Sequence, residues 1–182
     1  MAATTILLAR HGETDWNRER RVQGHADEPL NETGRAQARE LAAELAREPF
    51  DAIYASDLAR AGETALIVAE HHDVDVVLLP ELRERHFGSW EGLTDTEILR
   101  RFPDARPGHW GDGEVAEEMA GRVVAAVHRI AESHPGGHVL VVAHGGPLRA
   151  VLLHCGADRE GPIENCDVIR ITVECGRIAH AG

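Results

Sequence analysis

The sequence predicts an α/β fold: a three-layer sandwich with a largely parallel central sheet and helices on both of its faces. Short apolar segments alternate with amphipathic helical segments along the chain, and strands separated by helices usually pair in parallel. The chain has 182 residues, of which 43% are hydrophobic and 27% charged, so it can bury a sizeable core. No internal repeat or low-complexity linker interrupts the pattern, and we therefore expect one domain over residues 1–182.

The first half of the chain is predicted to contain three strands and two helices. Its strands are short apolar or β-branched runs that stop at turn residues, and its helices begin at residue types that cap helix N-termini. In order, the predicted elements are a strand over 4–9, a helix that starts after Asn31, a strand over 50–55, a helix that runs from the capping residues Ser56 and Asp57 to about residue 70, and a strand over 74–79.

The second half begins with a segment over 86–113 that is rich in glycine, proline and tryptophan. After it, apolar residues recur at helical spacing up to Pro135, and Gly145-Gly-Pro147 is typical of a helix start with proline in the first helical position. The predicted elements are a short helix near 94–101, a helix that begins near residue 115, a strand over 138–143, a helix that opens at 145–147, and an antiparallel strand pair over 167–174 and 177–181.

The charged residues exclude several classes of function. All 19 basic residues are arginines, and the 31 acidic residues give the chain a net charge of −12. This negative field repels a nucleic-acid backbone, so no nucleic-acid partner is expected. The lack of lysine excludes a Walker phosphate-binding loop and Schiff-base chemistry on lysine.

The cysteines and the apolar segments indicate where the protein works. Cys155, Cys166 and Cys175 are odd in number and form no C-x-x-C motif, which predicts reduced thiols rather than disulfides or a zinc site. The sequence contains neither a signal-peptide pattern nor an apolar stretch of about 18 residues. We therefore expect a cytoplasmic protein that does not associate with membranes.

Two histidines follow predicted strands at the points where these strands end. His11 follows the first strand and His144 the fourth, and a glycine after each lets a ligand approach the backbone. Arg10 precedes His11, and Arg60 lies in the first turn of the helix after the second strand. Each residue alone is typical of a turn or a surface. Together, beside the N-terminus of the helix after His144, they favour a site for a tetrahedral oxyanion such as phosphate.

These residues lie within a series of motifs that spans most of the chain. The first is Leu-Ala-Arg-His-Gly-Glu-Thr-Asp-Trp-Asn over 8–17. Further motifs occur, in order, over 23–24, 27–34, 56–64, 82–92 and 142–146. In content and order they resemble the motifs of the histidine phosphatase superfamily, which includes the cofactor-dependent phosphoglycerate mutases. The resemblance covers residues 5 to about 155.

The resemblance implies a role for each matching residue. His11 would be the nucleophile that accepts the phosphoryl group, while Arg10, Arg60 and His144 would hold the phosphoryl oxygens. We expect a backbone carbonyl to fix the ring tautomer of His11, with His11 neutral and His144 cationic. The residues expected to bind the phosphate or the rest of the substrate are Arg10, Asn17, Gln23, Gly24, Arg60 and Gly145.

Glu84 lies in Leu-Arg-Glu-Arg, where the family places its proton donor. It would protonate the leaving oxygen and then deprotonate the water that hydrolyses phosphohistidine. The alternative for this residue is a surface ion pair with Arg83 or Arg85. The match of the surrounding motif favours the catalytic role.

We expect no metal and no cofactor. Arginines and a cationic histidine would replace the magnesium ion of other phosphoryl-transfer sites. A magnesium-dependent aspartyl phosphatase would need a D-x-D motif after an apolar strand, but Asp73-Val-Asp75 follows the polar end of a helix. A metal site at His71, His72 and Asp73 is less consistent with the pattern than solvated charges at a helix end.

The resemblance leaves hydrolysis and mutase activity open, with a phosphate-binding protein without turnover as a third alternative. Phosphoglycerate mutases carry an added basic segment after the Glu84 motif, whereas 93–113 is short and offers only Arg100, Arg101 and Arg106. An open site favours water as the phosphoryl acceptor. We therefore predict a metal-independent phosphatase that hydrolyses small phosphomonoesters through a phosphohistidine intermediate.

The expected partner is a small phosphorylated metabolite. The side chains of His86, Trp90, His109 and Trp110 would line the outer pocket or pack as core or lid residues. The last strand pair would leave an edge on which two copies of the chain could form a homodimer.

Overall fold

The computed structural model of the chain describes residues 2–105, 112–157 and 160–180, and these residues form one six-stranded sheet with helices around it. No helix in these ranges is long and apolar enough to cross a bilayer. The strands are β1 (Thr4–Arg10), β2 (Ala52–Ala55), β3 (Val76–Leu78), β4 (His138–Ala143), β5 (Val168–Glu174) and β6 (Arg177–His180). The α-helices are α1 (Asp15–Arg18), α2 (Glu32–Leu45), α3 (Ala59–Ala69), α4 (Asp95–Arg101), α5 (Ala116–Ser133) and α6 (Gly145–His154).

The sheet has the strand order β3-β2-β4-β1-β5-β6. The first four of these strands run parallel, and β5 and β6 continue the sheet antiparallel, so the expected largely parallel sheet is confirmed. In the central pair β1–β4, Arg10 is the partner of Ala143, and the N–H of His11 donates to the Ala143 carbonyl over 3.0 Å. This register places His11 beside His144, because each residue directly follows its strand.

Side chains of the central strands alternate between two core layers, as the pleat of a strand requires. On one face, Ile6 and Leu8 of β1 belong to a core that includes α5 and α6. On the other face, Leu7 and Ala9 belong to a core that includes α2 and α3. The predicted three-layer sandwich is therefore confirmed, and α5 and α6 share one face of the sheet.

Two helix starts differ from the prediction. Leu58 is the N-cap residue of α3, while the carboxylate of Asp57 forms a bidentate pair with Arg83 at 2.6 and 2.7 Å and so does not cap the helix. The Ser56 hydroxyl accepts the Leu58 N–H within the preceding turn. Helix α6 begins at Gly145, two residues before Pro147, which is tolerated there because the first four N–H groups of a helix have no partner within it.

The loop after β1 packs directly on the first turn of α2 through two glycines. A Cβ added at Gly12 would lie 2.5 Å from the carbonyl oxygen of Gly34, and a Cβ at Gly34 would overlap the backbone of Glu13. Backbone atoms cannot move aside as a flexible side chain can. The two glycines therefore fix the loop that carries His11 against α2.

We expect Gly12→Ala to lower the free energy of unfolding by about 1–3 kcal/mol, because the added methyl group forces two backbone segments apart. Gly121→Ala is the matched control, since a Cβ at Gly121 meets nothing within 4 Å. Inside helix α5 that substitution should stabilise the protein by up to about 1 kcal/mol. Urea unfolding of the two variants measures both effects, and equal effects would refute the close contact between Gly12 and Gly34.

Candidate active site

His11 and His144 meet at the carboxyl end of the central strand pair. Their ring centroids are 5.1 Å apart with an angle of 61° between the planes. The exposed fraction is 3% for His11 and zero for His144. The two rings therefore share one buried space, as the positions of the two residues after β1 and β4 predict.

The backbone fixes the ring of His11 in one orientation. Its Nδ1 lies 2.7 Å from the Gly12 carbonyl oxygen, and because a carbonyl only accepts, Nδ1 carries the proton and Nε2 the lone pair of the neutral ring. The Asn165 side chain donates to the His11 carbonyl over 2.9 Å, and the Thr64 hydroxyl accepts the Gly12 N–H over 3.1 Å. The expected hydrogen bond to a carbonyl is thus present, with Nε2 free to act on a ligand.

Arg60 projects from the first turn of α3 and is fully buried. Its two terminal nitrogens donate to the carbonyls of Ala26 and Gly24, each over 2.8 Å. Gly24 was predicted as a phosphate contact, and here its carbonyl holds Arg60 in place. Its φ of +56° and the Glu91 side chain against its Cα both favour glycine at this position.

Arg10, the last residue of β1, approaches the same space from the other side. Its Nη1 donates to the Ile163 carbonyl over 2.5 Å. A Cβ added at Gly145 would lie 3.9 Å from its Nε, so the guanidinium lies near the start of α6. The chain segment around Ile163 was not expected to contribute to the site.

Several buried nitrogens of this cluster have no hydrogen-bond partner in the described part of the chain. They are the Nε atoms of Arg10 and Arg60 and both ring nitrogens of His144. An unsatisfied buried polar group costs about 1–3 kcal/mol, so such groups are rare unless a ligand completes them. These unpaired Nε and ring nitrogens match the acceptor oxygens of a bound oxyanion.

Arg10, His11, Arg60 and His144 form a basic cluster, and the pKa of both histidines in it is lowered. Burial, together with the positive charges of Arg60 and Arg10, holds the pKa of His11 and of His144 well below the usual value of 6.5. Burial also lowers the pKa of Arg60 to about 10, against the opposing effect of the Glu84 charge. The lowered pKa of His144 does not match the prediction of a cationic ring, because complete burial and the nearby positive charges disfavour its protonated form.

The lowered pKa values of these two histidines predict a loss of stability in acid. The unfolded chain takes up protons on them below about pH 6.5, whereas the folded chain resists protonation, so stability is full above that pH and falls as pH decreases. We expect the melting temperature to fall from about pH 7.5 to about pH 5.5, and to fall less in the double variant His11→Asn/His144→Asn. An identical pH dependence in the double variant would contradict this effect.

Glu84 reaches the cluster from the loop after β3. One carboxylate oxygen accepts the Arg85 N–H over 2.9 Å and the other the Gly146 N–H over 3.1 Å. A Cβ at position 146 would overlap this carboxylate, so glycine is needed for the contact. The side chain of Arg83 pairs with Asp57 and Arg85 Nε donates to the Glu114 carbonyl, which does not match the alternative of a surface ion pair for Glu84.

Arg122 of α5 holds the backbone around Glu84 and was missed in the sequence. Its terminal nitrogens donate to the carbonyls of Glu81, Arg83 and Glu84 over 2.7–2.9 Å. The Glu114 carboxylate pairs with the same guanidinium at 2.7 and 2.8 Å. The only indication in the sequence was that Arg122, in the first half of its helix, is flanked by the uncharged residues Gly121 and Val123.

Asn17 lies in α1 and Gln23 follows this helix, and both side chains contact Thr14 in the segment after His11. The carboxamide oxygen of Asn17 accepts the Thr14 N–H over 3.1 Å, which closes a capping box at the start of α1. The Thr14 hydroxyl donates to the carboxamide oxygen of Gln23 over 3.0 Å. Their contact with a ligand stays a prediction.

Of the residues expected in the outer pocket, His109 and Trp110 lie outside the described residues. Trp90 is buried at 5% exposure, with its ring centroid 6.2 Å from that of Phe102, so it packs as a core residue. The ring of His86 packs on that of His25 at 5.0 Å.

Comparison with known proteins decides the family. The profile of the histidine phosphatase superfamily (branch 1) matches residues 6–179. The chain belongs to this superfamily. The resemblance carried by the Arg-His-Gly motif and the motifs after it is therefore confirmed.

Relatives within the histidine phosphatase superfamily include both phosphatases and mutases. The chain is 40% identical over 177 residues to a metal-independent phosphoserine phosphatase of Arabidopsis thaliana, covering 91% of this chain and 74% of the relative. It is 37% identical over 179 residues to a probable phosphoglycerate mutase of Enterobacter sp. strain 638, covering 91% of this chain and 83% of that protein.

A solved histidine phosphatase structure has the same fold. It is a mycobacterial glucosyl-3-phosphoglycerate phosphatase in complex with VO3, with a TM-score of 0.87 and 29% identity over 98% of this chain and 97% of that chain. The family and these relatives support a phosphatase or mutase function, the two activities left open by the sequence. Relatives named as phosphatases support the predicted class of phosphoric monoester hydrolase.

Proposed function

We propose that the chain is a metal-independent phosphatase that hydrolyses small phosphomonoesters through a phosphohistidine on His11. The observation that carries this proposal is the buried cluster around His11, in which nitrogens of Arg10, Arg60 and His144 have no hydrogen-bond partner among the residues that the structure describes. A phosphoryl group supplies acceptor oxygens for these donors. It also brings phosphorus close to the lone pair on His11 Nε2.

In the first step His11 Nε2 donates its lone pair to phosphorus. A P–N bond forms, the P–O bond to the alcohol breaks, and protonated Glu84 transfers its proton to the leaving oxygen. The hydrogen bond from Nδ1 to the Gly12 carbonyl stabilises the positive charge that develops on the ring. The products of this step are the free alcohol, phosphohistidine and the Glu84 carboxylate.

In the second step water attacks phosphorus and the Glu84 carboxylate takes up the proton that the water loses. A P–O bond forms, and the P–N bond breaks with its electron pair returning to His11 Nε2. Inorganic phosphate leaves, and Glu84 is again protonated for the next turnover. Both steps need the Glu84 carboxyl group beside the phosphoryl group. Its hydrogen bonds from the Arg85 and Gly146 N–H groups support this role, because they fix its orientation at the start of α6.

The basic residues stabilise the charge that spreads over the phosphoryl oxygens in both transition states. In our proposal Arg10 and Arg60 do so as permanent cations. A bound phosphoryl anion would favour the cationic form of His144, so the protonation state expected from the sequence belongs to the substrate complex. Asn17, Gln23 and the backbone of Gly145 would complete the binding of the substrate.

Mutase activity is the second candidate function, because the relatives include a probable phosphoglycerate mutase. A mutase has to exclude water and to hold the carboxylate of phosphoglycerate as well as its phosphate. The segment over 93–113 is short; of its arginines, Arg100 and Arg101 lie in the last turn of α4 and Arg106 lies outside the described residues. This favours hydrolysis.

Because arginines and histidine supply the positive charge, we expect phosphate release from p-nitrophenyl phosphate to be unaffected by EDTA. A loss of activity that magnesium or zinc restores would contradict the metal-free mechanism. In the same buffer, 3-phosphoglycerate with 2,3-bisphosphoglycerate should yield free phosphate. Conversion to 2-phosphoglycerate at a rate comparable to that of phosphate release would support mutase activity. If no ester is turned over, the remaining alternative is a protein that binds phosphate without catalysis.

A further inference from the structure

A large groove lies between α5 and α6, next to Glu84. Its volume is about 960 Å³, and its lining is mainly apolar, with side chains such as Met119, Val124, Ala150 and Leu153. The lining also includes polar side chains, namely Glu84, Arg85, Glu117, His128, Arg149 and His154. Glu84 and Gly146 form one wall. The lining does not include the two histidines of the basic cluster, so the groove is a separate space that adjoins the site at Glu84.

The position of Glu84 connects the groove with the proposed chemistry. Its negative charge opposes the lowering of the pKa of Arg10 and Arg60 by burial, so Glu84 lies near the basic cluster. The same residue lines the groove. A general acid has to lie within hydrogen-bond distance of the oxygen that it protonates. The ester oxygen of a bound substrate therefore lies at Glu84, and the alcohol portion attached to it extends toward the groove.

Gly121 in the first half of α5 keeps this groove open. A Cβ at this position would meet no atom within 4 Å, and the backbone has no positive φ that would require glycine. Glycine is also the least favourable residue inside a helix apart from proline. Neither the backbone conformation nor close packing therefore explains why position 121 is a glycine. Because Gly121 lines the groove, a glycine there leaves space for a ligand.

We infer that the groove between α5 and α6 binds the alcohol portion of the substrate, so that the enzyme prefers phosphomonoesters of alkyl or aryl alcohols with an apolar body. The inference rests on the proposed function, because it takes Glu84 as the proton donor. A mainly apolar lining gains free energy from burying hydrocarbon. The ammonium and carboxylate of a small zwitterion such as phosphoserine lose hydration against this apolar surface and find partners only at its charged residues, such as Arg85, Glu117 and Arg149.

A series of ethyl, butyl and hexyl phosphate tests this inference, because the leaving alcohols differ in length and hardly in acidity. Each methylene that is fully buried corresponds to about a fourfold gain in binding. With partial burial we expect kcat/KM to rise at least about tenfold from ethyl to hexyl phosphate. Hexyl phosphate should also exceed O-phosphoserine by at least about tenfold.

Gly121→Leu places an isobutyl group at the groove from a position where the Cβ meets no atom within 4 Å. It should reduce the ratio of kcat/KM for hexyl over ethyl phosphate to about one. The matched control is Ala43→Leu, at an exposed position of α2 on the other side of the sheet, which should keep the ratio of the parent protein. An unchanged ratio in Gly121→Leu would overturn the inference.

The outcomes separate this inference from the proposed function. If no ester releases phosphate, the proposed function itself fails. If phosphate is released at the same kcat/KM along the series, the proposed function stands and the groove does not bind the alcohol. Light scattering after gel filtration adds a further test: a dimer that Gly121→Leu dissociates, with no dependence on chain length, would assign the groove to a second copy of the chain.

Discussion

His11→Ala is expected to lower kcat for p-nitrophenyl phosphate by at least about 10⁴-fold, because it removes the atom that bonds to phosphorus. The remaining arginines can bind a phosphoryl group but cannot accept it covalently. Within the described part of the chain, the only hydrogen bond of the ring is to the adjacent Gly12 carbonyl, so its loss leaves no distant polar group without its partner. The variant should therefore fold, with the circular dichroism of the parent protein.

His71→Ala is the matched control, since His71 is exposed near the end of α3 and lies outside the basic cluster. It should keep the activity of the parent protein. Turnover retained in His11→Ala, with the variant shown to be free of parent enzyme, would remove His11 as the nucleophile. If His11→Ala loses the circular dichroism of the folded protein, His11→Asn replaces it in the test, because asparagine is closer to histidine in size and polarity than alanine is.

Glu84→Gln is expected to have an effect that depends on the leaving group. For alkyl phosphates kcat/KM should fall by about 10²–10⁴-fold, because the alkoxide has to be protonated as it leaves. For p-nitrophenyl phosphate the fall should be much smaller, since p-nitrophenolate is stable without a proton. The parameter kcat/KM isolates this step from the later attack of water on phosphohistidine.

Glu81→Gln supplies the control, three residues away in the same loop, where the carboxylate pairs with Arg129 at 2.7 Å on the surface. It should leave the dependence on the leaving group as it is in the parent protein. If Glu84→Gln slows aryl and alkyl esters by the same factor, Glu84 does not act as the acid. A loss of this kind would instead indicate that the carboxylate only positions the Gly146 N–H and its neighbours.

The proximity of His11 and His144 could be predicted from the sequence. Both follow apolar strands of an α/β pattern, and ligand sites of such sheets lie beyond the carboxyl ends of the strands. Arg10 pairs with Ala143 in the sheet, so the residues that follow them are neighbours. The centroids of their rings are 5.1 Å apart. The alternation of Leu7 and Leu8 between two core layers follows in the same way from the period of a strand.

Contacts between distant parts of the chain were beyond what local patterns predict. Arg122 holds carbonyls about 40 residues earlier in the chain, and Asn165 holds the His11 carbonyl across 154 positions. Nothing in a helical period or a turn motif encodes these partners. The lowered pKa of His144 was missed for a related reason, since it depends on complete burial beside Arg60.

Trapping the covalent intermediate tests the central claim most directly. Enzyme mixed rapidly with p-nitrophenyl phosphate, quenched in alkali and digested should yield one phosphorylated peptide, with the phosphoryl group on the ring of His11. Alkali is required because phosphohistidine hydrolyses in acid. A phosphoryl group on another residue, or none at any time while phosphate is being released, would contradict a nucleophilic His11.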